Sequence, residues 1–153
     1  MIKKLSWLPY FLILLCLTAL DRCTKQYATQ AFTVPYKVNK FLSFELVFNR
    51  GISWGFFGSS NEFLFVLLSV IIIFFLIFFI VYIKQRYQHK QSIFAELLVM
   101  CGALSNLSDR FYYQGVVDFI VLSVDFWSWP VFNFADIFIV IGIGLMFLRG
   151  YRS

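Results

Sequence analysis

The longest uncharged segment limits what this chain can fold into more than any other feature. Residues 63–83 carry no charged side chain and consist mainly of Phe, Ile, Leu and Val. At about 1.5 Å per residue, a helix of this length covers about 31 Å. This matches the hydrocarbon core of a bilayer, which is about 30 Å thick. The segment therefore predicts a transmembrane helix.

The composition extends this prediction to the whole chain of 153 residues, of which 61% are apolar and 14% are charged. Soluble domains carry about 25% charged residues, so a soluble globular domain is disfavoured. A disordered chain is excluded, because disorder requires low hydrophobicity and high charge. We expect one membrane domain, residues 1–153.

Three shorter apolar segments accompany the long one. With polar residues at their ends they predict four spans, at about residues 5–24, 63–83, 92–110 and 134–149. The first segment follows two lysines and also fits a signal peptide, but no small-x-small cleavage site comes after it. We therefore expect a fold of four transmembrane helices.

The basic residues predict the orientation of these spans. Three short segments contain Lys and Arg without any Asp or Glu: Lys3, Lys4, Lys84, Arg86, Lys90, Arg149 and Arg152. Lys and Arg in short loops mark the cytoplasmic side. We expect both termini and residues 84–91 in the cytoplasm, residues 21–62 and 108–134 outside, and no nucleic-acid partner.

The outer loops have strand patterns. Residues 41–48 alternate so that Leu42, Phe44, Leu46 and Phe48 would share one face. Residues 116–124 and 126–131 are rich in β-branched and aromatic side chains. We predict a small β-structured cap on the outer membrane surface, from residues 33–62 and 115–132. Three tryptophans suit an interfacial belt: Trp54, Trp127 and Trp129.

Four aspartates lie at or near the outer ends of the predicted spans: Asp21, Asp109, Asp118 and Asp136. An acid at the bilayer centre costs about 2.5–3.5 kcal/mol, so one near a span is by default a functional-site hypothesis. Each also has a structural alternative. Asp136 fits a capping box with Asn133, and Asp109–Arg110 fits an interfacial ion pair. Asp21 and Lys25 fit an i, i+4 pair.

Asp118 is the hardest of these acids to explain structurally, since it interrupts an apolar run. Two carboxylates brought close cannot both ionise cheaply, so one keeps its proton. The ionised group can then deprotonate water while the protonated one polarises a carbonyl. Asp118 and Asp136 would form such a pair without a metal or cofactor. The single histidine, His89, lies in a basic loop, which disfavours a His-based metal site or a catalytic triad.

Four motifs carry a resemblance that covers nearly the whole chain. They are DRCTK at 21–25, NRGISWG at 49–55, CGALSNLSDRFYYQGVVDFI at 101–120 and FNFAD at 132–136. Their order on a four-span chain resembles the lipoprotein signal peptidases, or signal peptidase II, a family of bacterial membrane aspartic peptidases. Asn49 and Gly51 are also consistent with a simple turn. Cys101 and Ser105 stand where the family usually has glycine, and Trp54 stands where Phe is commoner.

The resemblance implies removal of the signal peptide from diacylglyceryl-modified prolipoproteins, by a cut just before the lipidated cysteine. Asp118 and Asp136 would be catalytic. Carried over by position, the residues that hold substrate or dyad would be Asn49, Gly51, Asn106, Arg110 and Asn133, with Asp21, Lys25 and Asp109 in support. We expect a monomer without cofactors in the bacterial cytoplasmic (inner) membrane, in contact with membrane lipids, with its active site at the outer surface.

Further hypotheses concern the walls of the site and competing functions. Trp54, Phe56 and Trp129 would receive the short apolar recognition sequence, and residues 54–60 would form a lid.

A transporter or channel subunit would use Asp21, Asp118 and Asp136 as an ion path, although transporter sites lie at mid-membrane. Spans two and four have no charged or Gly/Pro-broken centre, except for Gly142 and Gly144 in span four, which fit close helix packing. A non-catalytic membrane assembly factor is the second alternative.

Overall fold

A computed structural model of the chain describes residues 7–51 and 62–151. Within these ranges lie four helices and four strands. Their order is α1 Leu8–Ala31, β1 Tyr36–Lys37, β2 Leu42–Asn49, α2 Glu62–Gln88, α3 Phe94–Tyr113, β3 Val116–Val124, β4 Trp127–Ser128 and α4 Phe134–Gly150. The predicted class, a helical protein with a small sheet, is confirmed.

Each predicted span coincides with a helix, but the ends differ. The first span is predicted to end at residue 24, and the helix that contains it, α1, continues to Ala31. After Pro9 in its first turn, α1 contains no glycine or proline, so residues 21–25 lie inside the helix. In the described part of the chain, only α2 is long and apolar enough by itself to cross a membrane.

Large apolar side chains cover the outer faces of the helices. Phe63 and Phe78 of α2 are both 72% exposed, and Phe147 of α4 is 75% exposed. Soluble monomers rarely expose contiguous apolar patches larger than a few hundred Å². These faces therefore suit contact with lipid.

α3 lies at the centre of the bundle, in contact with the other three helices. Two glycines let α3 and α4 approach closely. A Cβ added to Gly102 would lie 2.3 Å from the carbonyl oxygen of Ala135, and one added to Gly142 would lie 2.7 Å from that of Ala95. Gly144 has no described atom within 4 Å of its Cβ position, so the packing role expected for it is wrong.

These contacts predict opposite outcomes for three alanine substitutions. Gly102→Ala and Gly142→Ala should each destabilise the protein by about 1–3 kcal/mol, because backbone atoms of a neighbouring helix must move. Gly144→Ala should cause no loss, because its position is open and alanine favours the helix. Thermal unfolding in detergent measures all three. Equal melting temperatures would show that the α3–α4 contact tolerates a methyl group.

The strands form one antiparallel sheet in the order β1-β2-β3-β4. In the β2–β3 pair, Phe44 lies opposite Ile120 and Val47 lies opposite Asp118, so β2 has one extra residue between these pairs. Such a bulge reverses the alternation of side chains along the strand. The prediction that Phe48 shares a face with Phe44 is therefore wrong, and Phe48 is 46% exposed.

The last predicted strand, residues 126–131, is also shorter than expected. β4 covers only Trp127–Ser128. It follows a tight turn at Asp125, whose φ is 53°, and Pro130 has no N–H for strand pairing. Residues 52–61 of the predicted cap lie outside the described residues, as do residues 1–6 and Arg152.

Candidate active site

A cavity of about 670 Å³ opens between α2, α3, α4 and the sheet. Asp118 and Asp136 both line it. Most of its remaining wall is apolar, with Ile71, Ile72, Phe75, Val99, Ile139 and Ile143 among the lining residues. The cavity therefore offers two carboxyl groups at one end of a channel that suits an apolar chain.

Asp118 is the third residue of β3, and only 2% of it is exposed. Its carboxyl group accepts hydrogen bonds from Asn133 Nδ2 at 2.7 Å and from Asn49 Nδ2 at 2.9 Å. Burial first, and the neighbouring Asp136 carboxylate second, raise the pKa of Asp118 to about 7. These two hydrogen bonds oppose that shift. The group thus keeps a proton near neutral pH, as one member of a close carboxyl pair must.

Asp136 lies in the first turn of α4. The predicted capping box is confirmed: the Asp136 N–H donates to Asn133 Oδ1 at 3.0 Å, and the Asn133 N–H donates to Asp136 Oδ2 at 3.1 Å. Asn133 is fully buried and also holds Asp118 through its Nδ2 atom. Asn133 therefore contacts both carboxyl groups. It caps α4 and at the same time links Asp118 to Asp136.

Asn106 of α3 supports the same pair. Its Nδ2 atom donates to Asp136 Oδ1 at 2.8 Å. Its Oδ1 atom accepts from Lys25 Nζ at 2.9 Å and from Asn133 Nδ2 at 3.2 Å. These contacts fix the orientation of the Asn106 amide. Lys25 of α1 and Asn106 of α3 therefore hold the Asp136 carboxyl group in position.

A buried ionic cluster lies next to these asparagines, between α1 and α3. Asp21 and Asp109 are fully buried. Lys25 Nζ lies 2.7 Å from Asp109 and 3.1 Å from Asp21, so the predicted i, i+4 pair is confirmed. Arg22 donates to Asp109 at 2.6 Å and lies 3.2 Å from Asp21. Two acids and two bases thus neutralise each other, with Asp21, Asp109 and Lys25 buried and Arg22 partly exposed at the edge of the cluster.

The cluster also fixes the backbone of the other elements. Asp21 Oδ1 accepts the N–H of Ala135 at the start of α4 at 3.0 Å. Asp109 Oδ2 accepts the N–H of Val117 in β3 at 3.2 Å. The two acids therefore tie α1 and α3 to the segments that carry Asp136 and Asp118, respectively.

Cys101 and Ser105, which stand where glycine was expected, fit between α1 and α3. Ser105 is buried, donates to Asp21 and accepts from Arg22 at 2.7 Å. Cys101 is buried, and its Sγ atom lies 3.4 Å from Thr18 Oγ1. Each side chain occupies space between α1 and α3 and gains a polar contact there.

Arg110 faces the cavity, not the ionic cluster. The predicted Asp109–Arg110 ion pair is wrong, because Asp109 binds Arg22 and Lys25 from α1. Arg110 lines the cavity, and its guanidinium lies 5.2 Å from the centroid of the Phe65 ring. Its Nε and Nη1 atoms are buried and have no hydrogen-bond partner in the described ranges. Arg110 therefore offers unused donors to a guest in the cavity.

Asn49 and Gly51 end β2 at the rim of the same cavity. Asn49 Oδ1 accepts the N–H of Gly51 at 3.1 Å, which is the hydrogen bond of an Asx-type turn. Asn49 also donates to Asp118, as its register opposite Val116 allows. The predicted turn is confirmed, and the same side chain contacts the site.

The aromatic walls are described only in part. Trp129 lines the cavity as predicted and is 51% exposed. Trp54, Phe56 and the predicted lid at residues 54–60 lie outside the described residues. The three acids of the alternative ion path lie at one end of the bundle and do not form a series along it.

Sequence reasoning missed two contributors to the site. Arg22 completes the ionic cluster, and its signal was a second cation beside Asp21 in a chain poor in charge. Phe65 lies beneath both Arg50 and Arg110, at 5.4 and 5.2 Å from ring centroid to guanidinium carbon. No local signal distinguishes it from the other phenylalanines of α2.

Known sequences resemble this chain over nearly its whole length. The profile of the family described as Signal peptidase (SPase) II matches residues 13–152. The chain belongs to the signal peptidase II family. A lipoprotein signal peptidase of Actinobacillus succinogenes is 32% identical over 158 residues, covering 99% of this chain and 94% of that protein. One of Aquifex aeolicus is 34% identical over 149 residues, covering 97% and 88%.

The fold agrees with this membership of the signal peptidase II family. A solved structure described as a bacterial membrane enzyme is similar with a TM-score of 0.75 at 29% identity, covering 99% of this chain and 93% of that chain. A second structure with the same description gives 0.68 at 29% identity, covering 91% and 90%. This signal peptidase II family member is therefore a peptidase and a bacterial membrane protein.

Proposed function

We propose that this chain removes signal peptides from prolipoproteins whose cysteine already carries diacylglycerol, cutting just before that cysteine. The buried carboxyl group of Asp118 and the half-buried one of Asp136, joined through Asn133 at one end of an apolar cavity, carry the proposal. The apolar wall suits a signal peptide, and the dyad needs only water as co-reactant. The names of the curated relatives support this substrate class.

The two carboxyl groups divide the chemistry. Asp136 takes a proton from a water molecule, whose oxygen attacks the scissile carbonyl carbon. Asp118 donates its proton to the carbonyl oxygen, giving a neutral tetrahedral intermediate. Asp136 then passes its proton to the leaving amide nitrogen as the C–N bond breaks. Asp118 recovers its proton when the carbonyl reforms.

Three groups around the dyad hold the substrate or the dyad. Arg110 donates to peptide carbonyl groups through its free Nε and Nη1 atoms. Asn49 and Gly51 form the rim beside the scissile bond, and Asn49 keeps Asp118 in place. Asn106 and Asn133 act on the dyad, since their amides are already used there. Asp21, Lys25 and Asp109 support both.

Four membrane spans form a single domain, with both termini in the cytoplasm. The exposed apolar faces of α1, α2 and α4 support this arrangement. The polar residues of the site share one end of the bundle, at the end of α3 and the start of α4, which becomes the outer surface. The lipid of the substrate would hold the scissile bond at that depth. We expect the chain to act as a monomer, since one copy can supply all ten predicted site residues.

Activity should fall as the pH rises through about 7. Asp118 must be protonated to polarise the carbonyl, and its raised pKa of about 7 means that the proton is present below this pH and lost above it. The rate should then decrease about tenfold per pH unit on the basic side. The measurement is kcat/KM for a lipidated peptide at several pH values on either side of neutrality. A rate that rises steadily through the basic range would contradict a protonated Asp118.

Cleavage of a defined peptide by the purified protein in detergent tests the function. The substrate is a signal-peptide segment ending at a diacylglyceryl cysteine, and the control is the same peptide without lipid. We expect a single cut before the lipidated cysteine, unchanged by a chelator, and little or no cleavage of the control. A well-folded protein that cuts neither peptide would overturn the proposal.

A further inference from the structure

A second group of charged residues lies at the opposite end of the bundle from the dyad. Glu96, in the first turn of α3, is fully buried. Arg149 of α4 donates to Glu96 Oε1 at 2.5 Å, and Arg86 Nε of α2 lies 2.8 Å from the same oxygen. At about 1.5 Å per residue along α3, this cluster is about 20 Å from Asp109. One acid shared by two arginines leaves a net positive charge.

A cavity of about 260 Å³ opens beside this cluster, lined by Tyr82, Arg86, Gln91, Met146, Arg149 and Gly150. The Nε atom of Arg86 lies at ion-pair distance from Glu96, but it lacks the alignment of a hydrogen bond. The Arg86 guanidinium lies 5.8 Å from the centroid of the Tyr82 ring, a contact that uses no N–H hydrogen bond. Arg86 therefore contributes unused donors to a small polar cavity between α2 and α4.

The charge around this cavity is one-sided. Lys84 lies near Arg86 at the end of α2, Lys90 lies in the connection that follows, and Glu96 is the only acid in the sequence between residues 63 and 108. Exposed apolar side chains continue from the cavity along both helices, including Ile80 on α2 and Phe147 on α4. A guest with a negative head and apolar tails matches this surface.

We propose that this cavity binds the phosphate of an anionic phospholipid. Arginine binds phosphate through paired hydrogen bonds, and basic cavities between membrane helices select acidic headgroups. The phosphate contacts Arg86 from α2 and Arg149 from α4, while the acyl chains lie along the exposed faces. Because the same two helices supply Ile72 and Ile139 to the wall of the catalytic cavity, the lipid also stabilises that wall. The proposal goes beyond the peptidase chemistry and does not depend on it.

Gln91→Glu is the test variant, because it puts a carboxylate into the cavity without removing a partner of Glu96. Gln88→Glu is the matched control, since it adds the same charge to the end of α2 at an exposed position that does not line the cavity. The full chain is melted in detergent micelles containing phosphatidylglycerol or phosphatidylcholine, and bound lipid is counted by native mass spectrometry. For each variant, the melting temperature in phosphatidylcholine is subtracted from that in phosphatidylglycerol. A general folding defect lowers both temperatures and cancels in this difference.

We expect phosphatidylglycerol to raise the melting temperature of the wild type and of Gln88→Glu above the value in phosphatidylcholine. Gln91→Glu should lose this gain and retain about fivefold less phosphatidylglycerol. Equal effects of the two lipids on the wild type would overturn the proposal. So would equal losses in both variants, which would indicate general surface charge, or full stabilisation by inorganic phosphate, which would indicate a site for a free anion.

Discussion

Asp118→Asn and Asp136→Asn should each slow cleavage of the lipidated peptide by about 10²–10⁴-fold, the usual contribution of general acid–base catalysis. Asparagine keeps the size of the side chain and can still accept a hydrogen bond, but it transfers no proton. The measurement is single-turnover cleavage, with thermal unfolding of each variant recorded in parallel. Glu45→Gln is the matched control, because Glu45 is an exposed carboxylate of β2, and it should retain full activity.

The double variant sharpens this prediction. Two carboxyl groups that share one proton act as a unit, so losing both should cost little more than losing one. If the two effects multiply, the aspartates act independently and the shared-proton mechanism is wrong. If both single variants cleave at the wild-type rate while folded, the dyad assignment fails although the family membership stands.

The sequence predicted the elements of this fold better than their contacts. Uncharged runs located the helices, and alternating or β-branched residues located β2 and β3. The predicted first span stops seven residues before the end of α1, because charges at residues 21–25 suggest a membrane edge when no partner is known. In the structure, Asp109 and Ser105 neutralise or bind those charges from more than eighty residues away. A contact of that separation leaves no periodic signal.

At the site, too, local features could be predicted from the sequence, whereas contacts between distant segments could not. The local capping motif predicted the link between Asn133 and Asp136, and it is present. That Asn133 also contacts Asp118 depends on how α4 meets β3, which no spacing in the sequence encodes. The bulge in β2 is likewise set by pairing with β3. The motif resemblance grouped these residues, which lie together in the structure. It carries information about the folded family, which composition and periodicity lack.

Lys25→Met should be the most destabilising substitution outside the dyad. Lys25 is 2% exposed and binds Asp21, Asp109 and Asn106. Removing one partner of a buried ion pair costs about 3–5 kcal/mol, because a charge is left without compensation. For a chain of this size that corresponds to roughly 6–20 °C in melting temperature. Lys37→Met, at an exposed position of β1, is the matched control and should melt like the wild type.

A second substitution separates charge balance from geometry. Lys25→Met combined with Asp109→Asn leaves one acid, Asp21, facing Arg22, so much of the lost stability should return. Activity should stay low, because nothing replaces the Lys25 hydrogen bond that orients the Asn106 amide toward Asp136. Recovery of both stability and activity would mean that the cluster affects activity only through the stability of the fold. Recovery of neither would mean that Lys25 holds the helices through contacts other than its pair with Asp109.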